Sequence, residues 1–213
     1  MKIIQHHLNF RPDATWIKNH SGYPFLKLKI DVPSDDIVQE WEGVQDLAVY
    51  HRPEESISEK FFYGHKGWKS LTIYGVHHLA TENIPGIRSW TEVANRCPRT
   101  KKWIEDNFVI DESTGRIRFM LLEPGGYILP HADRDHKQLS EINIAVTNPD
   151  GCCFRFTNHG NVPFSPGSAF LMDISNQHLV YNGSNSPRLH IIVHGVLKDA
   201  DIILQSYEDR YNN

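Results

Sequence analysis

The sequence predicts an α+β fold in which a C-terminal antiparallel jelly roll carries the helices and strands of the N-terminal half on its outside. Two observations predict it. Seven short runs rich in β-branched and aromatic residues follow one another between residues 116 and 197. Turn formers separate these runs, as in Pro-Gly-Gly, Asn-Pro-Asp-Gly, Ser-Pro-Gly and Asn-Gly-Ser. Many short strands with such punctuation are typical of small antiparallel barrels and jelly rolls.

Helix signals alternate with loops in the first half of the chain, before about residue 115. Ser34 or Asp35 is the predicted N-cap of a first helix, whose apolar residues recur at i, i+4 and i+7. A second helix is predicted after a cap at Ser89 and is interrupted by Pro98. A third covers Thr100–Phe108. We expect this half to pack on the outside of the barrel and to wall one of its mouths.

The second half reads as strand, turn, strand. The predicted strands are RIRFMLLE, GYILPH, EINIAVT, CCFRFTN, SAFLMDI, HLVYN and RLHIIVHGVL. We interpret residues 1–213 as one domain: a supporting segment over 1–115, a β core over 116–197 and a C-terminal tail over 198–213.

Composition excludes several classes of protein. The chain has 213 residues and a formal charge of −4, with lysine and arginine scattered, so no basic surface for nucleic acid is indicated. It has no long apolar run that would cross a bilayer and no readable targeting segment, so neither a membrane nor secretion is indicated. Its three cysteines form no CxxC pair, and the neighbours Cys152 and Cys153 are poorly placed for a disulfide, which favours a reducing cytoplasm. The oligomeric state is not indicated.

Histidine is abundant, with thirteen copies, and one group of residues gives it a chemical role. His131 and Asp133 are two residues apart at a strand end, so they are expected to share one face with Tyr127 and Leu129. His178 opens a later strand and is the candidate third ligand. Two imidazoles and one carboxylate on one face of Fe(II) leave adjacent positions for a 2-oxo acid and dioxygen.

Arg188 is the candidate anchor for the distal carboxylate of such an acid. The stretch HLVYNGSNSPRLHIIVHG is predicted to be a hairpin that turns at Gly183 or Ser184 and brings His178 opposite Arg188. A buried guanidinium in that place would form a bidentate pair with the carboxylate.

Each element of this pattern has a simpler interpretation. An HxD pair alone is more often a solvated loop, a histidine before a strand is usually a polar edge residue, and a lone arginine pairs on the surface. Asp135 and His136 form a competing pair. Two other functions also fit a metal-binding β-sandwich: a cupin-type metal enzyme that uses no 2-oxoglutarate, and a non-catalytic module that holds a metal or a small acid.

Residues 116–196 resemble the catalytic core of the aspartyl/asparaginyl β-hydroxylase family of 2-oxoglutarate- and Fe(II)-dependent oxygenases. The matching stretches are EPGGYILPH, NPDGCCFRF, SPGSAFLMDISNQH and YNGSNSPRLHIIV, with GWKSLTIYG and CPRT in the first half. The resemblance implies a double-stranded β-helix, or cupin-like jelly roll, with metal at His131 and His178 and 2-oxoglutarate held by Arg188. It also implies a second polar contact to the cosubstrate, for which Asn143 is the candidate. Mammalian members have a glycine where this chain has Asp133.

The function implied is the hydroxylation of an unactivated C–H bond in an amino acid or a peptidyl side chain, with O2 as oxidant and succinate and CO2 as co-products. The substrate would be a small molecule or a peptide. Four aromatic residues are candidates for the entrance: Trp68, Tyr74, Trp90 and Tyr127.

Overall fold

The computed structural model describes residues 12–53, 64–81, 84–133 and 141–211. Its helices are α1 (Ala14–Ser21), α2 (Ser34–Glu42), α3 (Glu92–Arg96), α4 (Pro98–Asn107) and α5 (Asp201–Tyr211), with a short 3-10 turn at Gln45–Leu47. Its strands are β1 (Phe25–Leu28), β2 (Val49–Tyr50), β3 (His65–Gly75), β4 (Ser89–Trp90), β5 (Phe108–Val109), β6 (Arg116–His131), β7 (Glu141–Ala145), β8 (Cys152–Phe156), β9 (Gly160–Asn161), β10 (Ser168–Met172), β11 (His178–Asn182), β12 (Arg188–His194) and β13 (Val196–Leu197).

The strands curl into a two-layered antiparallel barrel. Along the hydrogen-bonded path the order is β1-β10-β7-β12-β6-β11-β8-β9, and β3 pairs along β6. The N-terminal part of β6 pairs with β12, whereas its C-terminal part pairs with β11. The long strand therefore belongs to both layers, and the jelly roll predicted from the sequence is confirmed.

Two hydrophobic cores hold this arrangement. One lies outside the main layer, where Ile117, Phe119 and Ile191 pack against apolar residues of the helices, such as Ile37 and Ile104. The other lies inside the barrel. Because successive strand residues point to opposite faces, one strand supplies both cores in alternation.

The helical predictions hold with shifted ends. Helix α2 begins at Ser34, but its N-cap position is Pro33, with no side-chain cap bond. Ser89 is not a cap, since it lies in β4 and Thr91 precedes α3. Pro98, expected to interrupt a helix, occupies the first turn of α4, where proline costs no hydrogen bond.

Segments outside residues 116–197 also pack into the barrel. Strands β1 and β3 join the barrel sheet from the first half of the chain. The expected tail contains α5, which buries Ile203 in the outer core and whose Ser206 hydroxyl accepts a hydrogen bond from Lys29 N at 3.0 Å. Among the described residues, no helix is long and apolar enough to cross a membrane.

The predicted hairpin between His178 and Arg188 is wrong. Strands β11 and β12 do not pair with each other, because each pairs with a different part of β6: His178 is opposite His131, and Arg188 is opposite Leu122. The six-residue NGSNSP stretch crosses from one layer to the other instead of folding back. Its geometry depends on Asn182, whose Nδ2 donates to Leu122 O and to Ser186 O, both at 2.9 Å.

Candidate active site

Three candidate metal ligands meet at one end of the barrel. His131 is the last residue of β6, His178 is the first residue of β11, and Asp133 lies two residues beyond the end of β6. One ligand atom from each lies within 4.8 Å of the others. The Nε2 atom of His178 is 3.8 Å from Asp133 Oδ2, which is too far for a hydrogen bond but suitable for two groups that share an ion.

A β-bulge aims His131 into this site. The register between β6 and β11 shifts between the pairs Ile128–Val180 and His131–His178, so β6 carries one extra residue there. Tyr127 and Leu129 are 37% and 46% exposed, whereas the His131 ring lies 4.3 Å from that of His178. The expectation that His131 shares a face with Tyr127 and Leu129 is therefore wrong, because the bulge resets the alternation.

Backbone carbonyls set the tautomer of both histidines. His131 Nδ1 lies 2.8 Å from Leu129 O, and His178 Nδ1 lies 2.9 Å from Asn176 O. A carbonyl oxygen only accepts, so both Nδ1 atoms carry the proton and both Nε2 atoms carry a lone pair. This is the arrangement by which proteins orient metal-binding imidazoles.

Burial keeps His178 neutral. The residue is 3% exposed and stacks on Phe154 with a centroid distance of 5.0 Å. Burial, followed by the nearby His131, lowers the pKa of His178 to about 4. The imidazole is therefore in the form that a metal requires at neutral pH.

Asp133 is anchored by its backbone and not by a strand. Its amide donates to Ile174 O at 3.1 Å, which ties it to the segment that leaves β10. Its side chain is about half exposed. Asp135 and His136, the competing pair, lie outside the described residues.

Arg188 is buried on the inner face of β12, with 5% of its surface exposed. Its Nε donates to Asn148 Oδ1 at 3.3 Å, and its guanidinium lies over the Phe164 ring at 5.7 Å. No carboxylate of the described residues forms an ion pair with it. Burial lowers the pKa of Arg188 only to about 10, so the group remains a cation at neutral pH.

Asn143 and His190 complete a polar cluster around Arg188. His190 Nδ1 lies 2.6 Å from Asn143 Oδ1 and 3.1 Å from Arg188 Nη2. The amide oxygen only accepts and the guanidinium only donates, so Nδ1 satisfies one of these two contacts. His190 Nε2 is buried without a partner among the described residues. The cluster therefore has unused hydrogen-bonding capacity inside the barrel.

Sequence reasoning missed His190. It lies two residues from Arg188, and the period of a strand places both side chains on one face. The spacing of Arg188 and His190 could therefore have identified His190 from the sequence.

The four aromatic residues expected at the entrance lie in different places. Trp68 packs at the inner core, Tyr74 and Trp90 pack together in the outer core, and Tyr127 is exposed outside.

Three solved structures are reported as similar to this chain, and the first of them supports the fold. A prolyl-4-hydroxylase from Pseudomonas putida has a TM-score of 0.50 and 14% identity, over 87% of this chain and 99% of that one. A 2OG-Fe(II) oxygenase family oxidoreductase from Burkholderia pseudomallei has a TM-score of 0.39 and 9% identity, over 75% and 92%. A cupin domain from Bordetella pertussis has a TM-score of 0.32 and 15% identity, over 42% and 88%. No curated protein sequence matches.

The barrel thus has the fold class of the cupin-like double-stranded β-helix, within an α+β architecture. The sequence profile of the aspartyl/asparaginyl beta-hydroxylase family matches residues 31–196, more than half of the chain. The chain belongs to this family, and it is an enzyme of the oxygenase class.

Proposed function

We propose that this enzyme is a 2-oxoglutarate- and Fe(II)-dependent dioxygenase that hydroxylates an unactivated C–H bond of an amino acid or a peptidyl side chain. Succinate and CO2 are the co-products. The observation that carries this proposal is the pairing of a His-Asp-His triad with a buried arginine that forms no ion pair with a described carboxylate. A cupin-type enzyme without a 2-oxo acid gives no reason for that arginine.

His131, Asp133 and His178 would hold the iron. Two neutral imidazoles and one carboxylate are a donor set that Fe(II) accepts on one face. When bound, Fe(II) supplies the open coordination positions at which 2-oxoglutarate and dioxygen react. Both Nδ1–H groups donate to backbone carbonyls, so the chain fixes the direction of the Nε2 lone pairs before metal arrives.

Arg188 would hold the distal carboxylate of 2-oxoglutarate. A buried cation without a counter-ion is costly, and a carboxylate relieves that cost through two parallel N–H···O bonds. Asn143 and His190 lie beside the guanidinium, and the unpartnered His190 Nε2 is able to contribute a further hydrogen bond. Asn148 Oδ1 accepts a hydrogen bond from the guanidinium Nε and so helps to orient the group. The three free cysteines accord with a reducing cytoplasm as the site of action.

The test is an anaerobic titration with Fe(II) and 2-oxoglutarate, followed by the visible charge-transfer band of the chelate. Arg188→Ala should keep its iron affinity while its 2-oxoglutarate affinity falls by about 2–5 kcal/mol, the cost of leaving one partner of a buried pair alone. Arg188→Lys should recover part of the loss, because an ammonium lacks the fork geometry.

The matched control is Arg155→Ala. Arg155 is exposed on β8, and its replacement should leave both affinities unchanged. If Arg188→Ala and the parent bind 2-oxoglutarate equally, Arg188 is not the anchor and the dioxygenase proposal loses its main support.

A further inference from the structure

A row of polar side chains crosses the main layer at the end of the barrel that carries the metal triad. The row consists of Arg116 on β6, His194 on β12 and Glu141 on β7, each opposite the next. Met172 on β10 lies opposite Glu141, at the end of this row. Directly opposite residues share a face of the sheet. Ile174, two residues beyond Met172, accepts the hydrogen bond from Asp133 N. The row and the triad therefore lie at the same mouth.

Arg116 and Arg118 point into the barrel. Ile117 and Phe119 belong to the outer core, so the arginines that alternate with them face inward. Arg118 is 6% exposed. Its Nη1 donates to Thr81 O at 3.0 Å and lies 3.5 Å from His51 Nε2.

Both guanidinium groups retain unused donors. The Arg118 Nε atom, and the Nε and Nη1 atoms of Arg116, are buried without a hydrogen-bond partner in the described part of the chain. Buried N–H groups without partners are rare in folded proteins, and on a charged group they are especially costly. The pair is therefore built to receive an acceptor.

The acid beside this pair does not neutralise it. Burial, together with the nearby Asp133, raises the pKa of Glu141 to about 8, against the opposing effect of Arg118 and Arg116. Its carboxyl group is hydrogen-bonded to the Asn143 side chain. Burial, followed by neighbouring arginines, lowers the pKa of Arg116 to about 10, so it stays charged at neutral pH. Burial, followed by the nearby Arg116, lowers the pKa of Arg118 well below its usual value, an effect that an anion bound beside the pair would oppose.

We infer that the substrate carries a carboxylate and that Arg116 and Arg118 bind it beside the metal triad. The inference rests on the proposed function, since it concerns the substrate of the same site. A carboxylate would accept the unused N–H donors in the bidentate geometry that guanidinium groups favour, and it would compensate a buried positive charge.

This carboxylate site is distinct from the proposed cosubstrate anchor. Arg188 and His194 are the first and last residues of β12, six residues or about 20 Å apart at 3.3 Å per residue. Arg116 is opposite His194, whereas Leu122 is opposite Arg188. One five-carbon diacid at Arg188 therefore leaves the Arg116–Arg118 pair available for a second molecule.

The competing interpretation is that the arginines serve the fold. The melting temperature of a variant that lacks one of these charges distinguishes a structural role from a binding role. If the pair binds substrate, Arg118→Met should leave the melting temperature equal or higher, as is common where a binding site is strained for function. If the pair is structural, the same change should lower it.

The experiment measures binding by calorimetry to the complex of the enzyme with Mn(II) and 2-oxoglutarate, without turnover. The probes are the twenty common L-amino acids and their primary carboxamides. A second arm uses N-acetylated, C-amidated tripeptides with a central Asp or Asn. The first arm reports a free α-carboxylate and the second a side-chain carboxylate within a peptide.

We expect at least one acid to bind at least tenfold more tightly than its amide. Arg118→Met and Arg116→Met should each weaken that acid at least tenfold and remove the preference over the amide, while Mn(II) and 2-oxoglutarate still bind normally. Arg118→Lys, which keeps the charge, should retain part of the preference and serves if the methionine variant does not fold. Arg155→Met, on the exposed face of β8, is the control.

The outcomes separate the two proposals. Normal Mn(II) and 2-oxoglutarate binding without a preference for any acid overturns this inference alone, and so does an unaltered preference in both methionine variants. Wild-type protein that binds neither Mn(II) nor 2-oxoglutarate overturns the proposed function and the inference with it.

Discussion

Asp133 differs from the other two candidate ligands because it lies outside regular structure and is about half exposed. Its position depends on the backbone hydrogen bond that its amide donates to Ile174 O at 3.1 Å. Mammalian relatives have a glycine there, so the residue tests whether this chain uses a carboxylate ligand. We expect Asp133→Ala to lower Fe(II) affinity at least about 100-fold, beyond the usual cost of an outer-sphere partner. Succinate formation at limiting iron, measured against iron concentration, checks this.

The control for Asp133 is the double change Asp135→Ala, His136→Ala. If the ligands are chosen correctly, iron affinity should stay within about 1 kcal/mol of the parent, as for changes away from a site. Near-normal turnover in Asp133→Ala, together with a large loss of iron affinity in the double variant, would show that Asp135 and His136 bind the iron in place of Asp133.

Glu141 makes the free energy of unfolding depend on pH, and this dependence does not involve the catalysed reaction. Its pKa is 4.5 in an ordinary setting and about 8 in the fold, because burial and Asp133 disfavour the charge. The folded state therefore binds one proton more than the unfolded state between these values. This contribution to stability is largest below about pH 4.5, falls through the window and is lost above about pH 8.

In the metal-free parent, this effect should lower the free energy of unfolding by on the order of 2–4 kcal/mol between pH 5 and pH 8. Glu141→Gln should remove that decrease. Urea unfolding at both pH values, after removal of metal, measures it. Glu105→Gln, on the exposed side of α4, should change stability by less than about 0.5 kcal/mol. A pH slope in Glu141→Gln equal to that of the parent contradicts the assignment.

The sequence predicts the candidate metal ligands but not the two arginines inside the barrel. His131, Asp133 and His178 are predicted from the sequence because metal ligands have recognisable types and spacing, and the fold brings one ligand atom of each within 4.8 Å of the others. Arg116 and Arg118 were visible as charges that alternate with apolar residues in a predicted strand, but such a pattern usually marks a solvated face. Only the curled sheet reveals that this face is the inner one, because both faces of the strand are covered.

The strand β6 is the element that organises the site. It pairs with β12 at its start and with β11 at its end, so it connects the arginine strand to the histidine strand. The sequence showed its two halves as separate strands, since Pro-Gly-Gly between them is a turn signal. In the fold this stretch bends one strand from the first layer into the second. The hairpin expected between β11 and β12 is absent for the same reason, because nothing local in the sequence indicates that the two strands pair with the two halves of one bent strand.

Gly126 is required at this bend. A Cβ atom there would lie 2.8 Å from Glu123 O and 2.9 Å from Lys66 O. Both are backbone atoms, and Lys66 is held opposite Tyr127 in the β3–β6 ladder. We expect Gly126→Ala to cost about 3 kcal/mol or more in the free energy of unfolding and to weaken 2-oxoglutarate binding. Gly125, with φ of +69° and no atom within 4 Å of a Cβ, is the matched control, and Gly125→Ala should cost about 1–2 kcal/mol. Equal losses in denaturant melts would show that the contacts of Gly126 do not matter.

At the scale of the whole molecule, the outer core stabilises the fold, whereas the interior of the barrel carries the candidate site. The outer core joins the helices to the main layer and is almost wholly apolar, which periodicity in the sequence predicts. The interior combines an aromatic core with buried arginines, histidines and an acid, and no periodicity predicts that mixture. The first half of the chain contributes β1 and β3 to the barrel itself, because the main layer needs these strands at its edges.

Metal binding should stabilise the whole molecule, since it ties the end of β6, the start of β11 and the segment after β10 together. A ligand present at 100 times its Kd adds about 2.7 kcal/mol to the free energy of unfolding. For a chain of this size, 1 kcal/mol corresponds to roughly 2–4 °C, so Mn(II) should raise the melting temperature by about 5–11 °C. His131→Ala and His178→Ala should each abolish the rise, whereas His159→Ala, in the turn between β8 and β9, should keep it in full. Calorimetric titration should give one Mn(II) per chain in the parent and in His159→Ala. Melting curves in which both ligand variants still respond to Mn(II) as the parent does would end the proposal of an iron site.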